Sequence, residues 1–168
     1  MVRRGCLRHV VFLDRDGVIN RDSPDFIKTW SEFIFIPGSR EAIARLCDAG
    51  HSIIVVTNQS GVSRKLIAPD ELERIFAKMK KAISEAGGRI LDIFHCPHLP
   101  EDNCRCRKPK TGMIERAVEK YAIDLASACM VGDRPKDILC GKNAGCACSV
   151  LLASGRGHPA YRRLSEAG

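Results

Sequence analysis

The stretch VVFLDRDG, from Val10 to Gly17, places four apolar residues directly before an Asp-Arg-Asp-Gly sequence. A run that is apolar at every position, rather than at every second one, is typical of a strand buried on both faces of a parallel sheet. Similar short apolar runs follow along the chain, at Ile53–Val56, Ile93–Cys96, Cys129–Val131 and Val150–Leu152. The stretch therefore predicts the first strand of a parallel sheet, which ends where Asp14 and Asp16 begin.

Segments with helical periodicity lie between these runs. They are Ser39–Ala49, Pro69–Ala86, Thr111–Tyr121 and Pro135–Ala144. Gly50, Gly87 and Gly145 follow three of them, where a glycine commonly ends a helix. The alternation predicts an α/β fold with a doubly wound, mainly parallel sheet and helices on both faces. No insertion large enough for a cap domain is apparent, and we expect one domain over residues 1–168.

The overall composition is that of an ordinary globular protein, with 45% apolar and 28% charged residues. The net charge of +7 suits an anionic partner such as a phosphorylated metabolite, although solubility explains such a charge equally well. The basic residues are scattered, and only one Trp, two Tyr and six Phe are available to stack on bases. We therefore expect no nucleic-acid partner, and we take a monomer as the default.

The compartment is inferred from the first residues and from the cysteines. The basic start MVRRG is followed by an apolar stretch that Asp14 interrupts too early for a signal peptide. No later stretch approaches the roughly 20 apolar residues of a membrane-spanning helix. The cysteine count of nine is odd, which together with the missing signal favours reduced thiols or metal ligands over disulfides. We expect a cytoplasmic protein without a membrane partner.

Polar residues directly follow three of the predicted strands. Asp14 and Asp16 follow the first, Thr57 the second and Asp133 the fourth, with Asp137 four residues further on. Since the carboxyl ends of parallel strands lie along one edge of the sheet, Asp14, Asp16, Thr57 and Asp133 can converge although the sequence separates them. Carboxylates brought that close must be neutralised, and Mg²⁺, which prefers oxygen ligands, is the natural counter-ion. In such a site Asp14 can attack phosphorus, while Asp16 can protonate the leaving oxygen and later activate water.

Two stretches, Arg21–Phe35 and Pro97–Pro109, fit neither the strand nor the helix pattern, and long loops are often functional. A set of three cysteines and one histidine lies in and beside the second stretch: Cys96, His98, Cys104 and Cys106. These ligands match tetrahedral zinc and leave no open position, which predicts a structural zinc site, although a cysteine-rich chain can form such a cluster by coincidence. Arg107 and Lys108 directly follow the last ligand, so zinc would fix where both cations point.

Four motifs resemble those of the haloacid dehalogenase superfamily of phosphotransferases. In chain order they are DRDGVIN, VVTNQSG, CRKPKTGM and MVGDRPKD, and the resemblance covers nearly the whole chain. Within the superfamily, TNQSGV with a downstream cysteine cluster is similar to the D-glycero-D-manno-heptose 1,7-bisphosphate phosphatases and their relatives, the histidinol-phosphate phosphatases. The resemblance implies a Rossmann-like fold, a catalytic Mg²⁺ and a zinc-stabilised loop.

The resemblance also implies a role for each residue of the site. Asp14 is the nucleophile and Asp16 the general acid and base. Mg²⁺ is held by Asp14, the carbonyl of Asp16 and Asp133, while Thr57 and Lys108 bind the phosphoryl oxygens. These roles suit phosphoryl transfer, which spreads negative charge over three equatorial oxygens.

Substrate contacts are implied for a further group of residues: Asn58, Gln59, Ser60, Arg107, Lys108 and Arg134. A guanidinium can bind a second phosphate bidentately, which suits a small, phosphorylated sugar with two phosphates. The segment 22–25 corresponds to a substrate loop in the heptose enzymes, where a glycine-tyrosine pair is usual. Here it reads Asp-Ser-Pro-Asp, so the loop departs from the family pattern.

The leading hypothesis is a Mg²⁺-dependent phosphatase that removes the C7 phosphate of D-glycero-D-manno-heptose 1,7-bisphosphate through an aspartyl-phosphate intermediate. TNQSGVSRK and MVGDRPKDILCGKNAG favour the heptose pattern, whereas the five residues between His98 and Cys104 resemble the histidinol enzymes and the shorter-loop heptose enzymes. The alternatives are a histidinol-phosphate phosphatase, a polynucleotide 3'-phosphatase, which shares the D-x-D-G and TNQ-like motifs, and a catalytically silent, zinc-stabilised binding protein.

Overall fold

The predicted parallel sheet is present in the computed structural model, which describes residues 6–153. Its strands are β1 (Val10–Leu13), β2 (Ser52–Asn58), β3 (Ile90–Cys96), β4 (Cys129–Gly132) and β5 (Cys148–Leu151). They lie in the order β3-β2-β1-β4-β5, and every neighbouring pair is parallel. Residues 1–5 and 154–168 belong to the predicted domain but lie outside the described residues, so its full extent stays a prediction.

Helices cover both faces of the sheet, as predicted. They are α1 (Ser39–Asp48), α2 (Pro69–Glu85), α3 (Gly112–Tyr121) and α4 (Pro135–Ala144). One apolar cluster packs α1 and α2 against the face that carries Val11 and Leu13, and a second packs α3 and α4 against the face that carries Val10 and Phe12. Since β1 is buried between the two clusters, all four of its residues are apolar.

The edge strands differ from the prediction that strands are buried on both faces. All of β1 and most of β2 are buried, but most of β3 is only partly buried, and residues of β5 alternate between exposed and partly buried. An edge strand has a neighbouring strand on one side only, so the helices shield it less completely. Both edge strands also begin earlier than the apolar runs suggest, at Ile90 and Cys148.

The strand order reverses at β1, because β2 and β3 lie on one side of it and β4 and β5 on the other. Ligands in such sheets bind beyond the carboxyl ends of the strands at this switch point. Leu13 pairs with Val55 on one side and with Val131 on the other, and the Asp14 N–H donates to the carbonyl of Val131 at 2.9 Å. Asp14 and Asp133 therefore leave the sheet side by side.

The connecting segments that resist assignment from sequence form ordered loops rather than a separate cap. Residues 14–38 include a 3-10 turn at Trp30–Glu32, and Trp30, Phe33 and Phe35 pack their rings together against the core. Residues 97–111 include a second 3-10 turn at Pro100–Asp102. Within residues 6–153 no helix combines the length and the apolar character needed to cross a membrane.

Candidate active site

Three carboxylates meet where β1 and β4 end. The oxygens of Asp14, Asp133 and Asp137 lie within 4.8 Å of one another, and all three side chains are buried. Burial raises the pKa of Asp14 to about 6, although the Lys108 ammonium opposes the shift. Burial, with the charges of Asp14 and Asp137, raises the pKa of Asp133 to about 7. This arrangement favours uptake of a cation or of protons.

Lys108 lies buried among these carboxylates. Its Nζ is 2.9 Å from Asp14 Oδ1 and 2.7 Å from Asp137 Oδ1, and it donates to the carbonyl oxygen of Val56 at 2.8 Å. Burial disfavours the ammonium form, but the charges of Asp14 and Asp137 outweigh burial and raise the pKa of Lys108. The ammonium therefore balances Asp14 and Asp137 together, while no described residue forms an equivalent contact with Asp133.

Asp133 is the member of the cluster that identifies where a cation would bind. Both of its carboxylate oxygens are buried and accept no hydrogen bond from the described residues. Gly17 faces them: its φ is +83°, and a Cβ at this position would lie 2.2 Å from Asp133 Oδ2. A buried carboxylate without a partner is costly unless an ion or proton compensates it. The donor set of buried carboxylate oxygens suits a hard divalent ion such as Mg²⁺.

The carboxylate of Asp16 lies outside this cluster and faces a different set of donors. Arg15 Nη2 donates to Asp16 Oδ1 at 2.8 Å and to Oδ2 at 3.0 Å, and Arg15 Nε donates to Oδ1 at 3.1 Å. Asn20 Nδ2 donates to Oδ1 and Gln59 Nε2 to Oδ2, each at 2.8 Å. Burial alone would raise the pKa of Asp16, but the charge and hydrogen bonds of Arg15, with those of Asn20 and Gln59, lower it.

The segment after β2 connects these two groups of residues. Gln59 Nε2 donates to Thr57 Oγ1 at 2.8 Å as well as to Asp16, so its amide bridges two predicted catalytic residues. Asn58 exchanges two hydrogen bonds with the backbone of Lys108, at 3.0 and 3.2 Å. The side chain of Asn58 is thus engaged in fixing Lys108, while Thr57 is completely buried.

A cavity of about 200 Å³ adjoins the carboxylates. Its lining combines predicted catalytic and substrate-binding residues with further basic and loop residues, among them Asp14, Asp16, Asn58, Gln59, Ser60, Arg107, Arg134, Lys136 and Asp22. The lining does not include Thr57, Lys108 or Asp133, which are almost fully buried. Four basic residues, Arg15, Arg107, Arg134 and Lys136, therefore line a pocket that also includes the predicted nucleophile Asp14.

Besides Arg15, which pairs with Asp16, two of these basic side chains have protein partners. Arg134 forms an ion pair with Asp22, which belongs to the loop that departs from the family pattern. Arg107 Nη1 donates to the carbonyl oxygen of His98 at 3.1 Å. The first contact connects the 22–25 loop to the end of β4, and the second connects the cavity to the cysteine-rich loop. Both arginines line the cavity, and their contact with a substrate stays a prediction.

The four predicted zinc ligands converge at one point. Cys96 Sγ lies 3.6 Å from His98 Nδ1 and 3.5 Å from Cys104 Sγ, while Cys106 Sγ lies 3.3 Å from His98 Nδ1 and 3.5 Å from Cys104 Sγ. A tetrahedral site with Zn–S bonds of about 2.3 Å places its sulfurs roughly 3.8 Å apart, close to these separations. The cluster can therefore hold zinc with little rearrangement.

The thiols of this cluster differ in acidity. Burial raises the pKa of Cys96 to about 12. Burial acts in the same direction on Cys104, but hydrogen bonds from Cys106 and Cys96 outweigh it and lower the pKa of Cys104 to about 7. Zinc binds the thiolate form, so metal binding at this cluster would release protons from its thiols.

The sequence motifs assign no role to four residues around the site: Arg15, Asp22, Lys136 and Asp137. The four-residue spacing from Asp133 to Asp137 is the one signal that could have identified Asp137, since it spans about one helical turn. Asp137 also lies in the first turn of α4, where its Oδ2 accepts from the Arg134 N–H at 3.1 Å. Lys136 lines the cavity, and burial lowers its pKa. Neither its burial nor that of Arg15 can be read from a local pattern.

Comparisons with known proteins identify similar hydrolases. The family model Hydrolase_like, described as HAD-hydrolase-like, matches residues 105–167. The D-glycero-beta-D-manno-heptose-1,7-bisphosphate 7-phosphatase of Pseudomonas aeruginosa is 45% identical over 89% of this chain and 84% of that enzyme. The enzyme of the same name from Bordetella bronchiseptica is 44% identical over 95% of this chain and 87% of that enzyme.

A solved structure has a similar fold over most of this chain. It is the crystal structure of the D,D-heptose 1,7-bisphosphate phosphatase from B. bronchiseptica complexed with magnesium and phosphate. Its TM-score with this chain is 0.87 at 42% sequence identity, and the match covers 92% of this chain and 86% of that one.

The parallel sheet, the carboxylates at its switch point and the buried lysine define a haloacid dehalogenase-like hydrolase. Within that class, the chain belongs to the family of the D-glycero-D-manno-heptose-1,7-bisphosphate 7-phosphatases, which are phosphoric monoester hydrolases. The sequence-based predictions of the superfamily, the α/β fold class and an enzyme of this type are confirmed.

Proposed function

We propose that the protein is a Mg²⁺-dependent phosphatase that removes the C7 phosphate of D-glycero-D-manno-heptose 1,7-bisphosphate through an aspartyl-phosphate intermediate. The observation that carries this proposal is the position of Asp14, which lines the cavity on one side and lies within 4.8 Å of two further buried carboxylates on the other. An aspartate so placed can reach a substrate phosphate, and the Lys108 ammonium, 2.9 Å from Asp14 Oδ1, balances its charge. The similar heptose enzymes give the proposal its substrate.

Mg²⁺ fits the donor set at this position, because the Asp133 oxygens are buried and lack partners among the described residues. Asp14, Asp133 and the carbonyl oxygen of Asp16 would hold the ion, and Asp137 would keep Lys108 in place through their 2.7 Å contact. When bound, Mg²⁺ supplies positive charge to the oxygens of the transferring phosphoryl group and offsets its repulsion from the carboxylates. The cluster combines three carboxylates with a single ammonium group, that of Lys108, and this excess of negative charge supports a cation at this position.

The reaction proceeds in two steps by the residues of the chain. In the first, an Asp14 carboxylate oxygen forms a bond to phosphorus, the bond from phosphorus to the sugar oxygen breaks, and that oxygen takes a proton from Asp16. In the second, water attacks the phosphorus of the aspartyl phosphate and Asp16 takes a proton from this water. The bond from phosphorus to the Asp14 oxygen breaks, which restores the Asp14 carboxylate and releases inorganic phosphate. Thr57 and Lys108 bind the equatorial oxygens in both steps.

The basic side chains at the cavity suit a substrate with a second phosphate. Arg107, Arg134 and Lys136 line the same space as Asp14, and a guanidinium binds phosphate bidentately. Asn58, Gln59 and Ser60 complete the proposed contacts of the small phosphorylated sugar. The ion pair between Arg134 and Asp22 would have to open, or accept the substrate alongside it, for Arg134 to contact phosphate.

A panel of phosphate esters tests this assignment directly. With Mg²⁺ present, we expect kcat/KM for heptose 1,7-bisphosphate to exceed that for histidinol phosphate by at least tenfold, a difference of about 1.4 kcal/mol in transition-state binding. A DNA oligonucleotide with a 3'-phosphate should release no phosphate above background. A reversed order of the two small substrates would assign the enzyme to histidinol phosphate instead, and cleavage of the oligonucleotide would support an end-processing enzyme.

Substitution of Gly17 by alanine tests the cation site. The new Cβ would lie 2.2 Å from Asp133 Oδ2, so Asp133 must move or the loop must shift. We expect the affinity for Mg²⁺, measured by calorimetry, to fall by about 100-fold, as when the surroundings of a metal ligand are disturbed. Gly38→Ala is the matched control, because Gly38 has almost the same φ, +82°, with no atom within 4 Å of a new Cβ. Equal losses in the two variants would mean that backbone strain alone is responsible.

The pH dependence of Mg²⁺ binding follows from the raised pKa values of Asp14 and Asp133. Because these pKa values lie at about 6 and 7 rather than at 3.8, the fold favours the protonated forms of both carboxyl groups, and the stability that their protonation contributes is lost as pH rises from 3.8 to about 7. Mg²⁺ must displace these protons. We expect its affinity to fall about tenfold from pH 8 to pH 6, with proton release detectable as a dependence of the calorimetric heat on the buffer.

The control for this linkage is Asp133→Asn, which removes the group with the higher pKa. The variant should bind Mg²⁺ weakly, and its remaining affinity should change less between pH 6 and pH 8. Equal Mg²⁺ affinity of the unaltered protein at both pH values would contradict the proposed cation site.

A further inference from the structure

Arg15 is a buried, charged residue that has no role in the two-step reaction described above. Its side chain is 1% exposed, and the guanidinium carbon lies 6.0 Å from the ring centroid of Phe33 and 5.9 Å from that of Phe76. Both rings belong to the apolar cluster that packs α1 and α2 against the sheet. Burying a charge beside apolar rings costs free energy unless the charge is paired. The burial of Arg15 therefore depends on a partner of opposite charge.

The partner of Arg15 is the Asp16 carboxylate. Arg15 Nη2 contacts both carboxylate oxygens, at 2.8 and 3.0 Å, and Nε makes a third contact at 3.1 Å. Asn20 and Gln59 each contact one oxygen only. A planar guanidinium that contacts both oxygens fixes the plane of the carboxylate, which a single amide donor does not do. The rings of Phe33 and Phe76 in turn restrict where this guanidinium can lie.

We propose that Arg15 is a positioning residue that aligns the Asp16 carboxylate for the removal of a proton from the water that hydrolyses the aspartyl phosphate. This inference rests on the proposed function, because it requires a phosphorylated Asp14. A general base must lie within hydrogen-bond reach of the proton it takes, and a misplacement of about 1 Å can cost a factor of about 100 in rate. Hydrolysis of the aspartyl phosphate takes place after the leaving group has departed. This second step should therefore depend on the contact between Arg15 and Asp16 for every substrate.

The test uses an aryl phosphate, because a p-nitrophenolate leaving group needs no proton from Asp16. Phosphorylation of Asp14 is then insensitive to Asp16 as an acid, whereas hydrolysis of the phosphoenzyme still requires it as a base. In Arg15→Lys the charge is kept but the planar fork is lost. With ³²P-labelled substrate and acid quenching, we expect turnover to fall at least tenfold while the fraction of enzyme trapped as phosphoenzyme rises.

A structural defect would have the opposite signature, because a poorly folded enzyme is phosphorylated less. A fall in turnover with an unchanged or smaller phosphoenzyme fraction overturns the proposal, as does unchanged turnover. Arg74→Lys is the control for the substitution itself: Arg74 pairs with Asp70 and Glu71 on the exposed side of α2, and this variant should behave like the unaltered enzyme.

A second variant keeps the test decisive if Arg15→Lys does not fold. Phe33→Leu removes one of the rings beside the guanidinium and leaves both charged partners in place, so the same rise in the phosphoenzyme fraction is expected, with a smaller fall in turnover. No rise in Phe33→Leu would then overturn the proposal. Absence of any phosphoenzyme in the unaltered protein overturns the proposed function as well, whereas a normal phosphoenzyme that does not accumulate in the variants overturns the role of Arg15 alone.

Discussion

Asp14→Asn is expected to abolish phosphate release, by a factor on the order of 10⁴ or more, because an amide oxygen cannot replace a carboxylate as the attacking group. The side chain keeps nearly the same shape, and Lys108 keeps Asp137 as a partner at 2.7 Å. The loss should therefore concern the chemical step and not the fold. Phosphate release from heptose 1,7-bisphosphate and from an aryl phosphate, with thermal unfolding of the same samples, checks this expectation.

Asp48→Asn is the matched control for this substitution. Asp48 ends α1 and is exposed, so the same change of charge far from the cavity should leave turnover unaltered. A catalytically silent binding protein would release no phosphate even before the substitution. Retention of more than a few per cent of turnover in a folded Asp14→Asn protein would mean that another group attacks phosphorus, and the two-step scheme would have to be abandoned.

Cys106→Ser is expected to remove zinc from the protein and to lower turnover on the order of 100-fold. The ligand set would lose one of its thiolates, and zinc sites of this kind supply on the order of 10 kcal/mol toward ordering their loops. Arg107 and Lys108 directly follow Cys106, so a loosened loop misplaces a cavity-lining guanidinium and the buried ammonium beside Asp14. A displacement of about 1 Å at such groups is enough for an effect of this size.

Metal analysis and calorimetry separate this effect from a general loss of structure. The unaltered protein should contain about one zinc ion per chain, as expected for a closed four-ligand site. Cys106→Ser should contain almost none while it retains Mg²⁺ binding, since Asp14 and Asp133 lie outside the loop. Cys148→Ser, at an exposed position on β5, should keep both zinc and activity. A zinc-free unaltered protein would refute the structural zinc.

The strands and helices could be predicted wherever the local pattern of apolar residues indicates them. The apolar run before Asp14 predicted a strand buried on both faces, and β1 is such a strand because two apolar clusters enclose it. The same argument was wrong about the extent of burial at β3 and β5. A run of apolar residues does not reveal whether the strand lies at the centre or at the edge of the sheet, since that depends on which strands pair.

Some residues of the candidate site could likewise be predicted from the sequence, and others could not. Cys96, His98, Cys104 and Cys106 could be grouped from sequence because they lie within a short loop, where spacing limits the distance between side chains. The convergence of Asp14 and Asp133 followed from parallel strand ends and from resemblance to a family. The placement of Asn58 was not foreseen in detail, because its amide fixes the backbone of Lys108 across 50 residues of sequence.

By itself, the sequence determined the class of fold, the position of the acidic strand ends and the composition of the cluster of three cysteines and one histidine, since periodicity and short spacing express these features locally. Only the tertiary structure decided which charges pair: Lys108 with Asp14 and Asp137, Arg15 with Asp16, and Arg134 with Asp22. Opposite charges are interchangeable in a sequence motif. In a folded core their energies depend on burial and on contacts of about 3 Å, which packing sets after the strands and loops have come together.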